Sequence, residues 1–131
     1  MKQAAAVIIS NQKGKILILK RSLKVDSFKE FWNFPAGGME EGESASDCAI
    51  RECREETGLT IDKDYMIYVG EFDIKENTSI DKIHYFFTKR YEGTIKLDFE
   101  NSSYLWIDGH EIDKFKFIPI PRAVKTAILF F

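Results

Sequence analysis

Apolar residues fall along this chain in short runs separated by turn-forming residues, and the runs predict strands interrupted by two helices. Gln3 to Ile9 is rich in Ala, Val and Ile, Asn11 to Gly14 carries a turn signal, and Lys15 to Lys20 alternates aliphatic residues again. Together these segments predict a β-hairpin. Lys24 to Phe31 mixes charges with Phe28 and Phe31, after which Pro35-Ala36-Gly37-Gly38 predicts irregular backbone in which the glycines can adopt positive φ. Ser44, followed three residues on by Asp47, resembles a capping box, and Gly58 stands where a left-handed residue would end a helix. The helix so bounded runs from about Ala45 to Thr57. Further along, Met66 to Ile74, Ile83 to Tyr91 and Tyr104 to Ile107 have strand composition. Pro121 is placed to open a last helix through Ala123, Val124, Ala127 and Ile128.

The first helix has an unusual polarity when its residues are set around a wheel at about 100° each. With Glu52 at zero, Glu56 falls at about 40° and Glu55 at about 300°, while Ala45, Cys48 and Ala49 lie between about 320° and 60°. The carboxylates therefore share the arc of the small apolar residues, and Asp47, Arg51 and Arg54 occupy the opposite one. Clustered carboxylates facing inward repel one another and resist desolvation. A hard divalent cation compensates them best, because oxygen donors with retained waters and substrate phosphates suit Mg²⁺, with Mn²⁺ as the alternative. The competing reading is that Arg51 and Arg54 neutralise an ordinary charged helix through i,i+4 pairs.

Composition narrows the classes. With 131 residues and 44% hydrophobic content, the chain suits one domain, 1–131, with one substantial core. The 19 basic and 21 acidic residues are interspersed and leave a net charge of -2, so no basic field is present to hold duplex nucleic acid or long RNA. Cys48 and Cys53 lie five apart in the predicted helix, which suits neither a disulfide nor a metal pair, and both read as reduced thiols. The apolar run within Met1 to Asn11 is too short for a signal segment or a membrane span. A cytoplasmic protein without membrane contact is expected, as a monomer or homodimer.

Gly37, five residues, Glu43, seven residues and then Arg51-Glu52-Cys53-Arg54-Glu55-Glu56-Thr57-Gly58-Leu59 resembles the complete Nudix hydrolase box. At ordinary residue frequencies such spacing arises by chance on the order of 10⁻⁷ to 10⁻⁶ per chain. The resemblance extends outward through Trp32 to Gly38 and Glu100 to Ile107. It implies an α/β fold, a mixed β-sheet sandwiched between α-helices, with a loop-helix-loop bearing the site. It further implies metal binding by Glu52, Glu55 and Glu56, a nearby backbone carbonyl from Gly37, and support from Glu43 at the helix entrance. Arg51, on the polar arc, reads as an orienting partner of a glutamate rather than a substrate ligand.

The implied reaction is attack of a metal-activated water on a phosphoanhydride, with Glu52 and Glu56 holding metal. Glu55 and Glu100 are the two candidates for general base. Glu100 stands where several family members carry a further metal-site carboxylate, and a solvated loop acid is its other reading. Lys20 and Arg21 end the second predicted strand and are candidates to meet substrate phosphates, against plain surface charges. Phe28, Phe31, Trp32, Phe72 and Phe117 read as core before base-stacking platforms, and His84 as a strand residue before a ligand.

For the substrate, Asp26 and Glu30 depart from the coenzyme A pyrophosphatase pattern. Asp73 replaces the proline expected of ADP-ribose hydrolases, and no tyrosine stands at Lys75 or Glu76, where dinucleoside polyphosphate hydrolases carry one. What is left is a nucleoside triphosphate, cleaved to the monophosphate and pyrophosphate, or a similar small nucleotide derivative such as a nucleotide sugar. A non-catalytic nucleotide-binding regulator is the alternative class, disfavoured by the intact box. Isopentenyl diphosphate isomerase shares the fold but uses a cysteine outside the helix, a role that neither Cys48 nor Cys53 fits.

Overall fold

The first two strands, β1 (Gln3–Ile9) and β2 (Ile16–Arg21), are apolar on both faces, and nearly every side chain in them is buried. That is the pattern of strands covered on both sides, not of a half-wetted hairpin. The computed structural model, which describes residues 2–74 and 79–131, accordingly corrects the hairpin expectation. The turn forms, with Asn11 N donating to Lys15 O at 2.9 Å, but the strands share only the Ser10–Ile16 bridge before parting into different sheets.

In chain order follow β3 (Trp32–Asn33), β4 (Ala36–Gly38), α1 (Ala45–Thr57), β5 (Thr60–Ile61), β6 (Ile67–Asp73), β7 (Lys82–Thr88), β8 (Tyr91–Glu92), β9 (Asn101–Ile107) and α2 (Arg122–Ala127). The four-stranded sheet has the order β4-β1-β7-β6. It is mixed: β1 runs parallel to β7 and antiparallel to β4, and β6 runs antiparallel to β7. A second sheet, β3-β2-β9, is antiparallel, and β5 and β8 form a short ribbon.

The strand period of two divides the core into layers. Ala5, Val7 and Ile9 of β1, with Leu17 and Leu19 of β2, pack on Cys48, Ala49 and Cys53 of α1. The alternate residues, Ala6, Ile8, Ile16 and Ile18, pack the other way on Phe34, Ile112 and on Val124 and Ile128 at α2. The sheets therefore lie between the helices in the expected α/β/α arrangement. Among the described residues no helix is long and apolar enough to cross a membrane. Lys75 and Glu76, weighed above for a missing tyrosine, lie outside the described residues.

The helix has the bounds its capping residues predict. Ser44 Oγ accepts from Asp47 N at 3.1 Å, and Gly58, at φ 78°, closes the far end by donating to Arg54 O at 2.9 Å. The glycine loop is a correction. Gly37 and Gly38 do not take positive φ; Ala36–Gly38 is a strand paired with Ala4 to Ala6 of β1. The left-handed residues lie earlier, between β2 and β3: Phe28 (φ 53°) and Glu30 (φ 63°), neither of which is glycine.

Candidate active site

One side of α1 faces β4 across a contact that only glycine permits. A Cβ on Gly37 would overlap the Glu52 carboxyl carbon and both its oxygens, so the absence of a side chain at Gly37 is what lets that carboxyl lie against the strand. Glu56 stands one turn on and is buried at 7% exposure. Its Oε1 accepts from Ala36 N at 3.3 Å.

Burial raises the Glu56 carboxyl well above its ordinary range, and its hydrogen bond with the neighbouring Glu52 carboxyl raises it further. Glu52 is also raised by burial, which its bonds to Glu56 and Arg51 partly offset. With Glu56 buried and Glu52 half-buried beside it, the surroundings favour the protonated form of both carboxyls, and Arg51 offsets this only at Glu52. Asp98, whose backbone N donates to Glu56 O at 3.3 Å, adds further negative charge near the pair. It is held by Asn101 Nδ2, 3.1 Å from its Oδ1.

Arg51 organises the opposite flank. Its Nε and Nη2 reach Glu43 Oε2 and Oε1 at 2.8 and 2.9 Å, Nη1 reaches Glu52 Oε1 at 2.8 Å, and Nη2 also donates to Gly38 O at 2.9 Å. Nη1 further meets Glu55 at 3.2 Å, and Glu40 lies 3.1 Å from Nε. The fork geometry of guanidinium makes such a hub available to arginine alone. The Arg51 hydrogen bonds hold the Glu43 carboxyl at about 2, far below the ordinary carboxylate range. Cys48 Sγ donates to Gly37 O at 3.4 Å, and burial pushes its thiol up to about 12.

Of the three glutamates on the apolar arc, Glu52 and Glu56 turn inward, whereas Glu55 is 56% exposed and rests on Arg51. The Glu100 backbone carbonyl accepts from Ser22 N at 2.8 Å, and the loop acid whose charge bears on Glu56 is Asp98, two residues earlier. Sequence reading missed Asp98; the signal was its place in the same acidic loop. Among the described residues, no three His, Cys, Asp or Glu side chains converge as a ready metal site. The donors nonetheless fit a hard cation, since Glu52 and Glu56 are adjacent oxygen ligands whose surroundings disfavour their charged forms unless positive charge is added.

A cavity of about 900 Å³ opens beside β4, lined by Ala36, Gly37 and Gly38 on the strand, by Arg21 and Phe28, and by Phe72 and Tyr85 across it. Arg21 spends its Nε on Ser27 O, at 3.2 Å. Lys20 is not among the lining residues; it sits on β2 opposite Trp32 and Ser103. Trp32, Phe72 and Phe117 pack against the α2-side core as expected, whereas Phe28 belongs to neither apolar cluster. His84 is a strand residue, bonded to Tyr68 OH at 2.9 Å and to Gln3 Oε1 at 2.6 Å.

Comparison with known proteins gives the same class. The NUDIX domain model matches residues 1–128, and the chain belongs to that family. An RNA pyrophosphohydrolase of Erythrobacter litoralis is 26% identical over 98% of this chain and 88% of its own length. A putative 8-oxo-dGTP diphosphatase of Bacillus subtilis is 41% identical over 43% of this chain and 34% of its own. The chain spans about a third of the length of several other curated relatives it matches. Among solved structures, the E. coli ORF135 protein superposes with a TM-score of 0.80 and 26% identity, over 99% of this chain and 91% of that one. The Erythrobacter litoralis relative is named a pyrophosphohydrolase and the Bacillus subtilis relative a diphosphatase.

Proposed function

We propose that this protein is a Mg²⁺-dependent pyrophosphohydrolase that cleaves a nucleoside triphosphate to the monophosphate and pyrophosphate. The observation that carries the proposal is the Glu52–Glu56 pair, with the Glu52 carboxyl against Gly37 and buried Glu56 bonded to Ala36 N, beside a cavity large enough for a nucleotide. Glu52 and Glu56 would hold the ion, with Glu55 or the Gly37 carbonyl completing the protein's share and substrate phosphates the rest. Bound there, Mg²⁺ supplies charge neutralisation for the phosphoanhydride and makes water more acidic. Arg51 keeps Glu52 oriented and Glu43 anchors Arg51. The proton of the attacking water goes to Glu55 or to an acid of the 98–100 loop, Asp98 or Glu100. The two thiols are free, which suits a reducing cytoplasm.

The triphosphate reading draws on the sequence departures from the other substrate patterns and on the 8-oxo-dGTP diphosphatase name of one relative. The test is a panel of nucleoside triphosphates, nucleotide sugars, ADP-ribose, dinucleotides, coenzyme A and a 5′-triphosphorylated oligoribonucleotide, with and without Mg²⁺, with products identified by chromatography and mass. Metal-dependent release of pyrophosphate from a nucleoside triphosphate is expected. Cleavage of another class alone would replace the substrate, and no turnover on any would overturn the enzyme.

A further inference from the structure

We propose that Phe28 is a specificity-determining residue that stacks on the planar ring of the substrate's base, and that Arg21 is its positioning residue. This rests on the nucleotide reading of the cavity above.

Phe28 has no role in the core. It belongs to neither apolar cluster, and its one ring contact among the described residues is an edge-on approach to Phe31 at 5.3 Å between centroids. Its backbone is left-handed, at φ 53°, a conformation that a bulky side chain adopts only when its surroundings impose it. Such strained residues gather at ligand clamps, where the orientation gained is what the strain maintains. The ring so oriented lines the cavity, with Phe72 and Tyr85 contributing to the same lining. Aromatic side chains on the walls of an apolar cleft suit a flat heteroaromatic ring, and Asn33 and Asp73, which also line the cavity, offer polar atoms at its edge.

The conformation is held from Arg21. Its backbone N donates to Phe31 O at 2.8 Å and its carbonyl accepts from Glu30 N at 3.0 Å. Its side-chain Nε donates to Ser27 O at 3.2 Å, and Phe31 N closes the turn on Phe28 O at 3.1 Å. The guanidinium thus ties down the peptide immediately before Phe28.

Calorimetric titration of the intact protein with the four nucleoside monophosphates and with ribose 5-phosphate tests this, because the last lacks only the base. At least one nucleoside monophosphate should bind at least tenfold more tightly than ribose 5-phosphate. Phe28→Leu should cut that ratio about tenfold, the range of one lost base stack, leaving ribose 5-phosphate affinity and melting temperature unchanged. Phe28→Trp should hold or raise the ratio and keeps the test alive if the leucine variant does not fold. Arg21→Gln should lower the ratio alone; loss of ribose 5-phosphate affinity as well would make Arg21 a phosphate ligand and overturn its positioning role. An unchanged ratio in Phe28→Leu, or no preference for a base in the unmodified protein, overturns the stacking role. Base-dependent binding without turnover would defeat the hydrolase reading and leave this one standing, and turnover with an unchanged ratio would do the reverse.

Discussion

Gly37→Ala should separate folding from metal binding. The added methyl would sit inside the van der Waals envelope of the Glu52 carboxyl, while the backbone there is extended strand that alanine adopts freely. The conflict is therefore met by the flexible end of one side chain. When the Glu52 carboxyl swings away it gives up its 2.8 Å bond from Arg51 Nη1, a charge-assisted bond worth about 1.5 to 3 kcal/mol. The alanine returns about 0.4 to 1 kcal/mol by restricting the unfolded chain. The net loss is about 1 to 2 kcal/mol, a lowering of the melting temperature by a few degrees in a chain of this size. Metal affinity and turnover should suffer far more, by about 10- to 100-fold, the range lost when the support that orients a metal ligand is removed. Denaturant unfolding, Mg²⁺ titration and turnover on one preparation make the comparison. Gly38→Ala is the control for folding and metal affinity, since a Cβ there meets nothing within 4 Å. A well-folded Gly37→Ala with the Mg²⁺ affinity and turnover of the unmodified protein would refute the argument.

Four other outcomes are expected. Glu56→Gln should abolish hydrolysis while unfolding cooperatively, and Mg²⁺-dependent turnover at the original rate would contradict the role given to Glu56. Because burial raises the Glu56 carboxyl above its unfolded value, its stabilising contribution is complete below the unfolded carboxylate range and is lost as pH rises through the raised value. The metal-free protein should therefore lose melting temperature relative to Glu56→Gln as pH rises above the unfolded carboxylate range, and Mg²⁺ affinity should rise with pH by up to about tenfold per unit, because the raised carboxyl must give up its proton to bind the ion. Arg51→Lys should cost about 2 to 3 kcal/mol in urea unfolding, since an ammonium cannot replace the fork on Glu43. With Glu43 held at about 2, the Arg51–Glu43 contribution is present above the unfolded carboxylate range and is lost as pH falls toward 2; a loss under 0.5 kcal/mol at pH 7 would show that Glu40 and Glu55 take up the slack. Glu30→Gly should raise the melting temperature by about 2 to 5 °C by relieving the left-handed backbone, and a decrease would show that Glu30 makes a compensating contact.

What could be read from the sequence was what neighbours in the sequence determine. Ser44 and Gly58 bounded α1 because each acts within its own turn, and the wheel placed Glu52 and Glu56 inward because their spacing alone fixes their direction. Glu55, on the edge of that arc, was drawn outward by Arg51, a choice made by a side chain and not by periodicity. Strand partners were a different matter. An apolar run states that a strand is covered on both faces and says nothing of which strand lies alongside, so β1 and β2 looked like a hairpin. Ala36–Gly38 has poor strand composition and is a strand because β1 supplies its hydrogen bonds. Asp98 reaches Glu56 through space, from a loop whose path the composition does not encode. The left-handed turn at Phe28 is bonded to Arg21 at Ser27, Glu30 and Phe31 and has no glycine to announce it.

The parallel ladder between β1 and β7 also bears on how the protein is made. Gln3 pairs with Lys82 and Ile9 with Thr88, so this early strand meets its parallel neighbour only after about eighty further residues have been added. During translation its uninterrupted aliphatic surface has β4 as its one earlier sheet partner, and three residues rich in glycine cover little of it. Nascent chains halted before Lys82 should therefore be captured by chaperones that bind extended apolar segments, and release should come abruptly once β7 has left the ribosome.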